Sequence, residues 1–113
     1  FTTPEIGDVG LTEAQAAAQG YIPKVASALV RGLGKAHAMG ELDGEFRLVM
    51  DSLTGRLLGA HISGPRATDL IAEAALALKL CATAEDVANT IHAHPTMAEG
   101  IFEAASQLAM KDK

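Results

Sequence analysis

Phe46-Arg47-Leu48-Val49-Met50, then Asp51-Ser52-Leu53-Thr54-Gly55, then Arg56-Leu57-Leu58-Gly59-Ala60-His61-Ile62-Ser63, is the stretch on which the fold turns. Its two outer runs are strand-like, and the short segment between them carries turn residues at both ends. Together they predict an antiparallel hairpin. Beyond the hairpin, Thr68 to Leu80 carries Leu70, Ile71, Ala74, Ala75 and Leu78 at helical spacing. Leu76 and Leu80 widen its apolar face, so this helix needs cover on more than one side.

Upstream, Pro4 to Gly10 alternates loosely as an extended segment. Thr12, followed three residues later by Gln15, forms a capping box that opens a helix stopped by Gly20. Pro23 to Arg31, with Val25, Ala28, Leu29 and Val30, predicts a second strand, and Gly32, Gly34 and Gly40 break up the stretch after it. Downstream, Thr83-Ala84-Glu85-Asp86 caps a short helix through about Thr90, and Thr96-Met97-Ala98-Glu99 caps a last one through about Met110. No repeat or linker interrupts the pattern. Strands first and helices later predict an α+β domain, an antiparallel sheet of four or five strands with helices packed on it.

The length of 113 residues fits one domain with its own core. A hydrophobic fraction of 49% and a charged fraction of 20% are those of a globular chain. The net charge of −5 with 9 basic residues argues against a nucleic-acid surface, which needs clustered Lys and Arg, and aromatic stacking platforms are lacking. The lone Cys81 cannot form an internal disulfide, is expected as a small buried hydrophobe, and points to a cytoplasmic setting. No apolar run approaches the ~20 residues of a membrane helix. Opening on Phe1-Thr2-Thr3-Pro4, without an initiator methionine, sets the expectation of a fragment of a longer chain.

Chemistry concentrates in Ile91-His92-Ala93-His94-Pro95-Thr96-Met97-Ala98-Glu99. Pro95 pushes His94 out of helical geometry. The next helix carries Glu99 in its first turn, so an imidazole and a carboxylate can meet. A carboxylate bonded to one ring nitrogen fixes the tautomer and raises the basicity of the other, which makes an acid–base group usable near neutral pH. Glu99 also stands where a capping-box acid belongs relative to Thr96, and a histidine before proline can be a plain loop residue, so both readings stay open. Metal binding by His92 and His94 lacks the third or fourth ligand that zinc wants. Gly55, Gly59 and Gly64 fit neither G-x-G-x-x-G nor a P-loop and are expected in turns. Core filling is the expectation for Met39, Met50, Met97 and Met110.

The segment from Ile91 to Glu99 resembles the H-x-H-P-T-[L/M]-x-E signature of the pyridine nucleotide–disulfide oxidoreductases, in the form typical of their dihydrolipoamide dehydrogenase branch. Pro4-Glu5-Ile6 with Val9-Gly10-Leu11-Thr12-Glu13 resembles the opening of the family's C-terminal dimerisation domain. Gly59-Ala60-His61-Ile62-Ser63-Gly64-Pro65 and Ile71-Ala72-Glu73-Ala74-Ala75 resemble its G-x-H-I-x-G and I-x-E-A-A segments. The blocks occur in family order and cover essentially the whole chain.

The resemblance implies a single interface domain over residues 1–113, from an enzyme whose FAD and NAD domains lie outside this chain. It makes His94 the acid–base catalyst, Glu99 its orienting partner, and His92 and Pro95 supporting neighbours. The backbone of His94 and Pro95 would approach the partner subunit's flavin. It implies FAD and NAD in the full-length enzyme and none bound to this fragment, which is expected to be inactive alone. A homodimer is implied, together with lipoyl domains of 2-oxo acid dehydrogenase or glycine cleavage complexes as partners, and neither nucleic acid nor membrane. A cis His94–Pro95 peptide is expected. Met97-Ala98, where this branch often has Leu-Ser, departs from the pattern at positions without assigned chemistry. The alternatives are the same domain of a glutathione-type reductase, or a non-catalytic interaction module of this fold.

Overall fold

The structure, a computed structural model, describes residues 5–40 and 42–110. Phe1 to Pro4, with which the family-like opening begins, lie outside the described residues. The hairpin expected from the sequence forms as β3 (Glu45–Asp51) and β4 (Leu57–Ser63), with Phe46 opposite Ile62 and Leu48 opposite Ala60. Asp51 turns the corner. Its buried carboxylate accepts the Leu53 N–H at 3.1 Å and the Thr54 hydroxyl at 2.8 Å, and Gly55 takes the left-handed conformation (φ 80°) that ends the turn.

β1 (Ile6–Gly10) adds to β4 and β2 (Pro23–Leu29) adds to β3, giving a four-stranded antiparallel sheet in the order β1-β4-β3-β2. This is the lower of the two strand numbers expected. β2 stops at Leu29 rather than Arg31, because Val30 enters a 3-10 turn over Val30–Gly32 that buries its side chain. The glycine-broken stretch beyond it is also more ordered than the sequence suggests. Gly34–Met39 forms a short helix, α2, ended by Gly40 in left-handed conformation, with Ala36 buried.

One face of the sheet is covered by two helices. α3 (Ala67–Lys79) lies on β1 and β4, and α5 (Glu99–Ala109) lies on β2 and β3, with α4 (Ala84–Ala88) against α5. Their core is Phe46, Leu48, Leu57, Ala60, Ile62, Ala74, Val87, Met97 and Ile101 among others. Burying a side chain such as Phe46 or Ile101 contributes about 1.5–3 kcal/mol relative to exposure. The opposite face carries α1 (Glu13–Ala18), whose Ala16 packs on Val49 and Leu58. The predicted Thr12–Gln15 and Thr83–Asp86 capping boxes both form. The chain leaves β1 directly over Gly59, where any Cβ would collide with the Leu11 backbone, and Leu11 N–H donates to Leu58 C=O at 2.9 Å.

Three sequence expectations need correction. Cys81 is exposed, because it takes the left-handed position (φ 57°) that ends α3, where Cys81 N–H donates to Leu78 C=O and Ala82 N–H to Ala77 C=O. Met110 is exposed beyond the end of α5. Thr96 does not cap α5: that helix begins at Glu99, and the Thr96 hydroxyl donates instead to Ala93 C=O at 2.6 Å. α3 buries only Ala67, Ala74 and Ala77 fully, while Leu76 and Leu80 stand 60% and 69% exposed, so the second cover it needs is not supplied by the described residues.

Candidate functional site

Between α4 and α5 the chain crosses from Asn89 to Ala98 without regular structure. Met97 anchors the crossing in the core, and the His94–Pro95 peptide is cis, as the sequence reading expects. The bend is tightened by the Thr96 hydroxyl on Ala93 C=O, and it turns the His94 ring back over the first residue of α5.

There His94 and Glu99 meet. Nδ1 of His94 donates to Glu99, 2.9 Å from Oε2 and 3.1 Å from Oε1, and Thr96 N–H donates to the same Oε1 at 2.9 Å. Glu99 therefore meets the imidazole and secures the helix start with one carboxylate; the two roles left open by the sequence coexist. The Thr96 N–H first, and the His94 hydrogen bond second, hold the Glu99 carboxyl below the ordinary glutamate range, against the opposing effect of burial. An ionised Glu99 only accepts, so Nδ1 of His94 carries a hydrogen, and in the neutral ring the nitrogen left to accept a proton is Nε2. The His94 side chain is 76% exposed and that of Glu99 21%, so the free nitrogen faces outward from a held carboxylate.

His92, expected as a supporting neighbour, does not bond to this pair. Its Nδ1 donates to Thr90 C=O at 2.9 Å and its Nε2 lies 2.6 Å from Glu73 Oε2 on α3, with the Phe102 ring tilted against it at 5.7 Å. Pro95 is exposed beside His94. Glu73 is the residue that sequence reasoning left without a role, and its one signal was a place in the I-x-E-A-A segment. A cavity of about 380 Å³ between His92 and Glu99 is rimmed by the fully exposed Ile91.

The other histidines have structural partners. His61 faces Asp8 directly across β4 and β1, with Nδ1 2.9 Å from Asp8 Oδ1 and Nε2 3.0 Å from Leu11 C=O. His37 meets Arg31 C=O at 2.7 Å. Glu5 accepts the N–H and hydroxyl of Thr68, closing the first turn of α3 from a distant part of the chain, and these bonds lower its carboxyl. Among the described residues no group of three or more His, Cys, Asp or Glu side chains could hold a metal, and no helix is long and apolar enough to cross a membrane.

Comparison with known proteins gives one family. The pattern described as the pyridine nucleotide-disulphide oxidoreductase dimerisation domain matches residues 1–105. The dihydrolipoyl dehydrogenase of Haloferax volcanii is 51% identical over 105 residues, which are 93% of this chain and 22% of that protein. That of Bacillus subtilis is 46% identical over 105 residues, again 93% of this chain and 22% of the relative. This chain thus spans under a quarter of the length of the curated relatives it matches. Among solved structures, LpdA from Mycobacterium tuberculosis superposes with a TM-score of 0.88 at 25% identity, covering 95% of this chain and 23% of that one. The HOCl-induced flavoprotein disulfide reductase RclA from Escherichia coli gives a TM-score of 0.84 at 25% identity, over 89% and 23%.

Proposed function

Since the chain belongs to the pyridine nucleotide-disulphide oxidoreductase dimerisation-domain family, we propose that it is the single interface domain of a dihydrolipoyl dehydrogenase, lending His94 and Glu99 to the disulfide site of a partner subunit. The observation that carries this reading is the pairing itself: both Glu99 oxygens on His94 Nδ1, with Nε2 free and exposed. Relatives named dihydrolipoyl dehydrogenase favour this branch over a glutathione-type reductase and over a non-catalytic module.

The chemistry starts from what a dithiol lacks. Thiol–disulfide exchange needs a thiolate, and a free thiol with pKa near about 8.5 is mostly protonated at neutral pH. Nε2 of His94 takes the proton from one thiol of dihydrolipoamide. The thiolate attacks an enzyme disulfide, the second substrate thiol closes the substrate disulfide, and the enzyme is left with two thiols. Glu99 stabilises the imidazolium formed in the first step and keeps the ring in the productive tautomer.

In the full-length protein, bound FAD with NAD as final acceptor would supply the oxidising equivalents that return the enzyme dithiol to the disulfide. The exposed His94–Pro95 backbone is the part of this chain fitted to lie against a partner subunit's flavin. The exposed Leu76, Leu80 and Ile91 suit burial in a two-fold homodimer. Lipoyl domains of 2-oxo acid dehydrogenase or glycine cleavage complexes would present the dithiol, in the cytoplasm.

The test uses the full-length enzyme. His94→Gln should lower dihydrolipoamide oxidation by about 10²–10⁴-fold, the range typical of lost general acid–base catalysis, and Glu99→Gln by less. A His94→Gln enzyme turning over at the wild-type rate overturns the assignment.

A further inference from the structure

Beyond Met97 in the core, the crossing that carries His94 is held to the rest of the fold by few side-chain bonds. From Thr90 to Ala98 the side-chain hydrogen bonds are local to the crossing and its flanking helices, except one. Among the described residues, His92 to Glu73 is the only side-chain hydrogen bond that ties this crossing to a distant part of the fold. We propose that the Glu73–His92 pair is the positioning device of the site, anchoring the crossing to α3 so that His94 meets its substrate at a fixed angle.

The hydrogen inventory shows how firm this anchor is. Thr90 C=O only accepts, so Nδ1 of His92 carries a hydrogen. The 2.6 Å contact between Nε2 and Glu73 Oε2 then holds a second proton between two strong partners. The His92 side chain is 7% exposed with its ring resting on Phe102, so the imidazole is shielded, while the Glu73 side chain, 32% exposed, still meets water. Every ring hydrogen-bonding position is occupied and the ring is clamped from two elements, α3 and the end of α4. His94 lies two residues further along the same irregular segment, so a shift of His92 reaches it through Ala93 and must be absorbed against the Glu99 bond.

The placement on α3 adds a second link. Glu73, Leu76 and Leu80 succeed one another at helical spacing on one face, and both leucines are exposed in this chain. A partner subunit covering that face would also remove water from the Glu73–His92 bond. The anchor would then be firmest in the dimer, the state in which His94 is used. This inference rests on the reading of His94 as the base, and its test is arranged to fail separately from it.

In the full-length enzyme, Glu73→Ala should lower kcat for dihydrolipoamide oxidation about tenfold, since a displacement of ~1 Å of a reacting group can cost up to ~10²-fold. KM for dihydrolipoamide should stay nearly constant. Glu73→Gln should recover most of the loss, because its side-chain amide can donate to Nε2 of a neutral His92 whose Nδ1 hydrogen stays on Thr90. Added to His94→Gln, Glu73→Ala should cost nothing further, since it acts through His94. Should Glu73→Ala fail to retain flavin or to dimerise, His92→Ala gives the same kcat, KM and double-variant readings. Wild-type kcat in Glu73→Ala, a Gln variant as impaired as Ala, or a full additional loss on the His94→Gln background would each overturn the proposal. If His94→Gln is itself fully active, the acid–base reading has failed, and the anchor with it. If His94→Gln is inactive while Glu73→Ala is unimpaired, only the anchor is wrong.

Discussion

Gly100→Ala should destabilise the domain, although the same change in an ordinary helix stabilises it. Gly100 lies in the first turn of α5, immediately after Glu99. A Cβ there would sit 2.6 Å from Phe46 Cγ and closer still to the ring edge, and Phe46 is 1% exposed with no space to swing into. Removing a helix-interior glycine is worth about 0.5–1 kcal/mol. Overpacking a filled core costs about 1–3 kcal/mol, so the clash outweighs the propensity gain by about 0.5–2 kcal/mol. For a domain of this size each kcal/mol is a fall in Tm of about 4–8 °C. Urea and thermal unfolding of the chain measure it. Gly34→Ala supplies the control, because nothing lies within 4 Å of a Cβ there, and it should gain about 0.4–1 kcal/mol. In the Phe46→Leu background the Gly100→Ala penalty should shrink, since the two side chains share one space. A Gly100→Ala protein that melts at or above the wild-type temperature would refute the close packing of α5 on β3.

Two further outcomes concern Glu99 and Cys81. The Glu99 carboxyl is lowered in the folded state, so it contributes stability above its unfolded value, ordinarily 4.5, and loses it as pH falls through the folded value. The stability difference between wild type and Glu99→Gln should accordingly narrow as pH falls below about 4.5 in acid titrations of urea midpoints; a gap that stays constant below that pH would contradict the hydrogen bonds assigned to it. Cys81→Gly should raise stability by about 0.5 kcal/mol, because relief of a left-handed side-chain clash of ~1–2 kcal/mol exceeds the added freedom of the unfolded chain, whereas Cys81→Ala should give no gain in the same unfolding assay.

The sheet was legible because its signals are local. The strand-like runs of β3 and β4, turn residues at Asp51 and Gly55, and threonine caps at Thr12 and Thr83 all act within a few residues. The misread elements depend on what lies elsewhere. Val30 leaves the strand because its side chain fills the core, and α2 forms from a run bracketed by glycines because Ala36 finds a buried seat. Cys81 looked apolar and therefore internal, yet the end of α3 required a left-handed residue at that position and turned it outward. The N-terminus of α3 has no cap from its own sequence, since Arg66 makes no capping bond; Glu5 supplies it from β1's approach, a contact that no local pattern announces.

The same division runs through the site. His94 and Glu99 could be paired from sequence because they stand five positions apart, with a proline among the four residues between them. Glu73 could not, because it reaches His92 only through the docking of α3 on the sheet. The capping and catalytic readings of Glu99 competed only while Thr96 was taken as the helix cap. Once the Thr96 hydroxyl turns to Ala93, its N–H is free to bond Glu99 Oε1, which His94 also contacts. One carboxylate then fixes where α5 begins relative to the imidazole, so the helix start and the acid–base geometry are a single structural fact. A glutamine at that position can accept from Thr96 or from His94 through its one carbonyl oxygen, without the charge that stabilises an imidazolium. Loss of activity in Glu99→Gln therefore reports on both functions at once, and only the Glu73 variants, which leave Glu99 and its Thr96 bond untouched, isolate the orientation of His94 from the identity of its partner.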